Sequence, residues 1–339
     1  TIDFYLSPTR NTAAAKRFLG KTLHGLKDWE KPRVIDTDKA VWLQGRAAWT
    51  FATLHNTVEN NPAWLAASKH CLDFIRDHCR GPGGKLYFTV TRDGRPLRMR
   101  RYVYSECFAA IGSAAYAKAT GDTRAATEAL QYFDTYLHHS FTPGVMPPKT
   151  DPATRPMQGV APHMIAIVTA QEIRALLGDV TVRGATCTQW IDRSLAAIER
   201  DFYKPDLGAL LEVVGTDGAV LDHFDGHTLN PGHALECAWF ILHEAKHRGR
   251  DPRLLRLGLG ILDCMWARGW DREFGGLLYF ISCGMQVATP ILIRLFLIWL
   301  QTPDPTRQIV WKGYMYAGLL GLIAFVKGIM AQRAMEYFH

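Results

Sequence analysis

The 339-residue chain lacks several features that mark common protein classes. It has no G-x-x-x-x-G-K-[ST] phosphate loop, which argues against ATP-driven transport. Its first twelve residues lack the basic-then-apolar order of a secretion signal, so we expect a cytoplasmic location. Its cysteines are an odd set without a C-x-x-C pair, so we expect reduced thiols and no zinc site: Cys71, Cys79, Cys107, Cys187, Cys237, Cys264 and Cys283.

The net charge by itself excludes few classes of protein. The net charge is +7, but charged residues make up only 21% of the chain and form no dense basic run. This pattern favours a solvated surface over a nucleic-acid groove, so a nucleic-acid partner is not expected. A chain of this length can bury one large core or two ordinary ones.

The middle of the chain, about 41–285, has apolar residues at helical spacing in one segment after another. Short loops between consecutive amphipathic helices favour an array of antiparallel neighbours. The predicted helices span 42–58, 63–78, 105–120, 124–139, 161–177, 187–201, 233–247 and 253–267. Alternation predicts a strand over 85–91 and a small hairpin over 210–214 with Asp217-Gly218.

The segment 226–236 contains a well-marked helix start. Asn230 is a favoured N-cap residue and Pro231 fits the first helical position. His233 then lies in the first turn, with Glu236 three residues further along the same face. The helix dipole disfavours positive charge there, so we expect a neutral imidazole that can act as a base. A capped core helix with an incidental histidine is the plainer alternative.

Several motifs recur in one order, and together they resemble a known family. They are W-L-Q-G-R-A-A-W from Trp42, F-T-V-T-R-D-G from Phe88, Y-S-E-C-F from Tyr104, N-P-G-H from Asn230, and G-W-D with G-G-L from Gly269. The segment 41–284 thereby resembles the N-acylglucosamine 2-epimerases, which include the renin-binding proteins. The resemblance implies an (α/α)6 barrel with its active site at one mouth and interconversion of N-acetylglucosamine and N-acetylmannosamine. It implies no required cofactor and names ATP as a candidate allosteric activator.

Epimerisation at the second carbon removes a proton from one face and returns one to the other, which histidines can do near neutral pH. The resemblance makes His233 one of two catalytic histidines. It makes Arg46, Glu106, Asn230 and Glu236 the residues that bind the sugar or orient the site. The alternatives are a surface cation for Arg46, a helix-dipole partner for Glu106 and a simple cap for Asn230.

Histidine 163 is a further candidate for the pocket. It follows Ala161-Pro162 at the predicted start of a helix. A core histidine with its hydrogen bonds satisfied is the favoured interpretation of His163.

Beyond Gly284 the epimerase motifs stop. The family's Lys-x-Trp-Trp-Pro-x-x-Glu segment and the loop with its second catalytic histidine do not occur. The apolar stretches 288–300 and 311–331 resemble instead the first membrane helices of multidrug-resistance-associated ABC transporters. The uncharged run 313–326 is short for a bilayer span. Membrane contact through 288–331 and a buried helical hairpin therefore both stay open.

The first 40 residues have a strand, helix, strand order and resemble transposases of the DDE insertion-sequence class. In that resemblance a metal-binding carboxylate falls on Asp38. Metal-ion catalysis needs several convergent carboxylates, and the segments that would supply the others are missing. We therefore expect no metal site.

The sequence thus predicts a chimeric, mainly α chain in three pieces: a β-α-β fragment at 1–40, an incomplete (α/α)6 barrel at 41–284 and an apolar helical pair at 285–339. Its predicted function is that of an epimerase-like domain that binds an amino sugar, with catalysis lost or strongly impaired. The alternative is a non-catalytic chimeric or membrane-associated interaction protein. Whether the chain forms a homodimer stays open.

Overall fold

Pairs of helices build residues 37–269, which together with residue 315 are the part of the chain that this computed structural model describes. The helices are α1 (Val41–Thr57), α2 (Pro62–His78), α3 (Tyr104–Thr120), α4 (Thr123–Phe141), α5 (Ala161–Leu177), α6 (Cys187–Ala197), the short α7 (Phe224–His227), α8 (Pro231–His247) and α9 (Pro252–Gly269). They match the predicted helices to within a few residues at most ends.

The long helices fall into two layers. Helix α1 packs on α3, α3 packs on α5, and α5 packs on α8, so these four form one continuous layer. Helices α2, α4 and α6 each pack on the layer member that precedes them in the chain. Every second helix therefore returns to the same layer and runs in the same direction, as a barrel of helix pairs requires.

Local sequence explains where the helices start. Asn61 accepts a hydrogen bond from the Ala63 N–H at 3.0 Å, and Pro62 is the first residue of α2. Asp122 caps α4 in the same manner. Thr186 and Gln189 form a reciprocal capping box at the start of α6.

Two glycines allow α1 and α3 to approach closely. A Cβ atom on Gly45 would lie 2.5 Å from the Phe108 carbonyl carbon. A Cβ atom on Gly112 would lie 2.8 Å from the Gly45 carbonyl oxygen. Any side chain at either position would separate the two helices, so these glycines fix the first pair of the inner layer.

Short strands join the loops at the helix ends. Strands β1 (Lys39–Ala40), β2 (Thr89–Val90) and β3 (Pro96–Arg98) form an antiparallel sheet in that order. The other pairs are β4 (Gln158–Gly159) with β9 (Val213–Val214), β5 (Thr181–Val182) with β6 (Ala185–Thr186), and β7 (Tyr203–Lys204) with β8 (Ala209–Leu210).

Three local predictions need correction. The predicted hairpin over 210–214 is wrong, because β8 pairs backwards with β7 while β9 crosses to β4. The predicted strand over 85–91 shrinks to β2, preceded by an isolated bridge at Leu86. The helix predicted over 187–201 ends at Ala197, and a π-helical turn spans Ile198–Phe202.

Other predictions lie wholly or mainly outside the described residues. These are the β-α-β order before residue 37 and the apolar pair within 285–339. Lys39 and Ala40, which the sequence placed in the first piece, pair with β2 of the helical domain. Within 37–269 no helix is long and apolar enough to cross a membrane. That same range contains no group of three metal-binding side chains, and Asp38 precedes β1 without forming one.

Candidate active site at the helix N-termini

The N-terminal ends of α1, α3, α5 and α8 share one end of the inner layer, here called the mouth. Glu106, His163 and His233 are each the third residue of their helix. The connections that precede α5 and α8 meet at this end, since β4 and β9 pair there, and Tyr104 at the start of α3 is within electrostatic range of Glu212. Each of these residues lies in the first turn of its helix. Ionisable side chains from three separate sequence segments therefore lie at the same end of the fold.

Histidine 233 makes the central interaction at the mouth. Its Nδ1 lies 3.0 Å and 3.2 Å from the two carboxylate oxygens of Glu212. A carboxylate can only accept a hydrogen bond, so Nδ1 carries the proton and Nε2 is the basic nitrogen. The His233 side chain is 47% exposed, which leaves it accessible to a ligand.

Asparagine 230 holds the backbone beneath this histidine. Its Oδ1 accepts a hydrogen bond from the His233 N–H at 3.2 Å, as the predicted N-cap requires. Its Nδ2 is 3.0 Å from His233 Nδ1. Both nitrogens are donors when Glu212 accepts from the ring, so this second approach is not a hydrogen bond.

Sequence analysis missed Glu212. The residue follows β8, and its carbonyl oxygen accepts the Val160 N–H at 3.0 Å, which ties this segment to the start of α5. Its separation from His233 is 21 residues, so no local spacing rule connects them. A single charged residue within the apolar run Ala209-Leu210-Leu211-Glu212-Val213-Val214 was the available signal.

Arginine 46 lies on the second turn of α1 with its side chain exposed. Its guanidinium carbon is 5.2 Å from the Trp42 ring centre and 4.8 Å from the Phe108 ring centre. The two rings are themselves 5.7 Å apart. The aromatic faces hold the cation in place by cation–π attraction, and its N–H groups can still face a ligand.

Glutamate 106 lies at the mouth end of α3 but is fully buried, at 0% exposure, so its carboxyl is closed to a ligand. Its Oε1 accepts the Leu86 N–H at 2.7 Å, while Oε2 has no hydrogen-bond partner within residues 37–269. Burial raises the pKa of this carboxyl to about 7, and the Leu86 N–H opposes part of that rise. The placement favours a structural role, in which Glu106 ties the 85–88 segment to α3.

The two remaining candidates, His163 and Glu236, lie in different environments. His163 is partly buried and packs between Phe141 and Phe202, with ring centres 5.3 and 5.8 Å away. Burial lowers the pKa of His163 to about 4. Its Nδ1 has no hydrogen-bond partner in the described part of the chain. The prediction that the hydrogen bonds of His163 are satisfied is therefore wrong for this nitrogen. Glu236 lies exposed on α8, three residues beyond His233.

An arginine–tyrosine stack lies at the start of α3 and was also missed. The Tyr102 and Tyr104 rings are parallel within 5° at 5.4 Å, and the Arg101 guanidinium covers Tyr102 at 4.5 Å. Burial raises the pKa of Tyr104, with smaller contributions from neighbours that include Glu212. The stack is therefore within electrostatic range of the His233–Glu212 pair.

Comparison with known proteins decides the family. The family model described as N-acylglucosamine 2-epimerase (GlcNAc 2-epimerase) matches residues 28–303. The chain belongs to the N-acylglucosamine 2-epimerase family. The matched range extends past both ends of the 41–284 segment, which carries the sequence motifs. The transposase and transporter resemblances of the two ends stay predictions.

The chain spans less than two thirds of the length of the relatives it matches. It is 35% identical over 260 residues to the N-acylglucosamine 2-epimerase of Homo sapiens, covering 73% of this chain and 58% of that protein. The Rattus norvegicus enzyme is 32% identical over 280 residues, with coverages of 80% and 65%. The cellobiose 2-epimerase of Bacteroides fragilis is 25% identical over 219 residues, with coverages of 61% and 54%.

Solved structures share the fold. The cellobiose 2-epimerase from Bacillus thermoamylovorans B4167 superposes with a TM-score of 0.59 at 16% identity, covering 71% of this chain and 64% of that one. A D-mannose isomerase gives 0.55 at 16% identity, with coverages of 72% and 64%. The predicted mainly α fold of the (α/α)6 epimerase type is confirmed.

Proposed function

We propose that this chain is an epimerase-type domain in which His233 exchanges the proton on the second carbon of an open-chain 2-acylamino sugar. The observation that carries the proposal is the exposed His233 at the mouth, with Nδ1 held by Glu212 and Nε2 left basic. Membership of the family makes a sugar the expected ligand.

The chemistry follows from this orientation. His233 Nε2 accepts the proton next to the sugar aldehyde, and Glu212 stabilises the imidazolium that forms. The electron pair moves onto the aldehyde oxygen, and Arg46 provides positive charge for the resulting enediolate. Return of the proton from His233 to the same face restores the starting sugar, so exchange with solvent does not require epimerisation.

Complete epimerisation needs a second acid on the opposite face. The motif that bears the second histidine of the family is absent from the sequence. We therefore propose slow exchange without efficient interconversion. ATP stays a candidate activator, to be tested by repeating the measurement with and without the nucleotide.

The experiment follows N-acetylglucosamine in D2O by proton NMR. We expect slow loss of the signal from the proton on the second carbon, without N-acetylmannosamine appearing. His233→Ala should slow this loss by about 10²–10⁴-fold, the range for a general base. His247→Ala changes an exposed histidine at the other end of the same helix and serves as the matched control.

Three outcomes would contradict parts of the proposal. Exchange unchanged in His233→Ala would remove His233 as the base. Rapid interconversion by the unaltered chain, lost in His233→Ala, would show that catalysis is not impaired. Absence of both sugar binding and exchange would favour the non-catalytic interaction protein that the sequence left as an alternative.

A further inference from the structure

The segment between β2 and α3 concentrates positive charge that sequence analysis treated as dispersed. We call residues 89–101 the arginine hairpin. The chain has a net charge of only +7, and this segment contains one acid, Asp93. The segment also contains five arginines: Arg92, Arg95, Arg98, Arg100 and Arg101. Most of the excess charge of the chain therefore lies in thirteen consecutive residues.

The hairpin presents this charge on an edge strand. Among the strands of residues 37–269, β3 is the last in its sheet, and all three of its residues are exposed. Leu97 is 50% exposed and Met99 is 39% exposed, so apolar side chains alternate with the arginines. The edge thus offers both charge and apolar contact to a ligand.

Arg101 donates hydrogen bonds to the Pro147 carbonyl and the Tyr102 hydroxyl, neutral acceptors that leave its charge in place. Asp93 pairs with Arg95 at 2.9 Å. Arg100 covers the Phe88 ring at 4.0 Å, which leaves its positive charge in place. Within residues 37–269 the Arg98 side chain forms no ion pair and no hydrogen bond. The surface therefore keeps a strong unbalanced positive field.

The hairpin backbone is already ordered. The Phe88 N–H bonds to the Arg98 carbonyl at 2.8 Å, and the Thr91 N–H bonds to the Arg95 carbonyl at 2.8 Å. Gly94 packs so tightly on His78 of α2 that a Cβ atom there would lie 2.5 Å from the His78 side chain. A ligand would therefore bind without a large ordering cost in this backbone.

We propose that the arginine hairpin is a docking surface for an acidic, extended peptide segment of a partner protein. Charge complementarity to carboxylates selects the partner, and the same charges repel a second copy of this edge. Pro96 has no N–H, so side-chain charge supplies the affinity rather than a long strand ladder.

Two features of the hairpin favour a peptide over a nucleic acid. Non-specific single-strand binding depends on open aromatic faces for base stacking. The Phe88 ring beside the hairpin is already covered by Arg100. The exposed Leu97 and Met99 side chains instead suit the apolar residues of a peptide.

The test uses a fluorescein-labelled twelve-residue peptide of alternating Glu and Val, with anisotropy measured against the full chain. We expect binding that weakens about tenfold between 50 and 300 mM NaCl, because exposed charges are screened. The matched peptide of alternating Gln and Val should not bind.

Paired variants locate the surface. Arg98→Glu should weaken peptide binding about tenfold, since it reverses a charge at the centre of the edge. Arg256→Glu makes the same charge change at an exposed arginine on α9 and should leave binding unchanged. Circular dichroism shows whether each variant folds. If the Arg98→Glu chain does not fold, Arg98→Gln takes its place in the binding measurement.

The proposal is overturned by any of three results. Absence of peptide binding at 50 mM NaCl removes the surface. Equal weakening of peptide binding by Arg98→Glu and Arg256→Glu would show that the net charge of the chain, and not this surface, binds the peptide. Tighter binding of poly(U) RNA than of the Glu peptide, lost in Arg98→Glu, identifies a nucleic-acid surface instead.

Discussion

Two buried glutamates lie on the inner layer, one near each end, and their environments are opposite. Glu106, in the first turn of α3, has 0% exposure and accepts a hydrogen bond from the Leu86 N–H. Glu244, in the last turns of α8, also has 0% exposure but is bonded by Arg174, Gln171 and Arg248. Both side chains are closed to solvent, but their hydrogen-bond partners differ.

The carboxyl groups respond in opposite directions. Burial raises the pKa of Glu106 to about 7. Burial also acts on Glu244, but Arg174 and the other donors outweigh it and lower the pKa of that carboxyl to about 2. The far end of the layer is therefore a charged network that joins α5 to α8 and pairs Glu244 with two arginines. Both ends hold buried polar atoms without a hydrogen-bond partner within residues 37–269: Gln171 Oε1 and Arg248 Nη2 at the far end, and Glu106 Oε2 at the mouth.

The largest expected effect comes from breaking the far-end network. Arg174→Ala removes two of the hydrogen bonds to Glu244 and its main counter-ion. Arg248 still pairs with Glu244 in this variant, so we expect the free energy of unfolding to fall by about 3–4 kcal/mol, the lower part of the range for a broken buried ion pair. Urea denaturation measures the loss.

A double variant controls for packing. Arg174→Met combined with Glu244→Leu removes both charges together, and replacement of a whole buried pair is often neutral. We expect the double variant to be more stable than Arg174→Ala. If it is equally unstable, the network contributes through volume and not through charge.

The next effect concerns the mouth and has the opposite sign. A raised carboxyl pKa means that folded Glu106 keeps its proton while the unfolded chain loses it, so stability falls as pH rises from about 4.5 to about 7. Glu106→Gln keeps an oxygen for the Leu86 N–H and removes the titration. It should be more stable than the natural chain by about 3 kcal/mol at pH 8 and similar at pH 4.

Glutamate 244 provides the contrast for this measurement. Its lowered pKa gives stability that is present above about pH 4.5 and lost as pH falls towards 2. Because both chains share the Glu244 titration, the difference between Glu106→Gln and the natural chain should grow only above about pH 4.5. An equal difference at pH 4 and pH 8 would mean that Glu106 does not titrate as described.

A smaller effect, on activity, comes from the pair at the mouth. Glu212→Gln keeps the shape of the side chain but removes the charge that stabilises a protonated His233. We expect proton exchange to slow by about 10–100-fold, a typical cost for losing a partner that orients a histidine. Thermal unfolding should change little, because Glu212 is 20% exposed and its partner 47% exposed. A large drop in stability with unchanged exchange would make the pair structural.

Local patterns in the sequence predicted the helices and the Asn230 cap well, because capping and helical periodicity depend on residues within one or two turns. The same patterns placed Glu106 and His163 in first turns, as the structure has them. They could not show which way each side chain points. Glu106 turns to the Leu86 N–H and His163 turns between two phenylalanines, and both directions depend on loops far away in the chain.

Long-range pairings account for what was missed. Glu212 meets His233 only because β9 crosses to β4, a pairing that the predicted 210–214 hairpin excluded. The Trp42–Arg46–Phe108 cluster depends on the close approach of α1 and α3 at Gly45. Neither is encoded by spacing along one segment. The W-L-Q-G-R and N-P-G-H motifs nevertheless indicate the correct family without any of these contacts.

The smallest expected effect tests whether Asn230 is only a cap. Asn230→Ala removes the acceptor for the His233 N–H and should lower the free energy of unfolding by about 1 kcal/mol. Asn230→Ser supplies a hydroxyl that can cap the helix but cannot reach as far into the mouth. If Asn230 is only a cap, the serine variant restores both stability and the exchange rate. If Asn230 also binds the sugar, the serine variant restores stability while half-saturation moves to a higher sugar concentration. The mouth would then differ from the far end in a second respect, because one side chain would serve both the helix and the ligand, whereas Glu244 serves the fold alone.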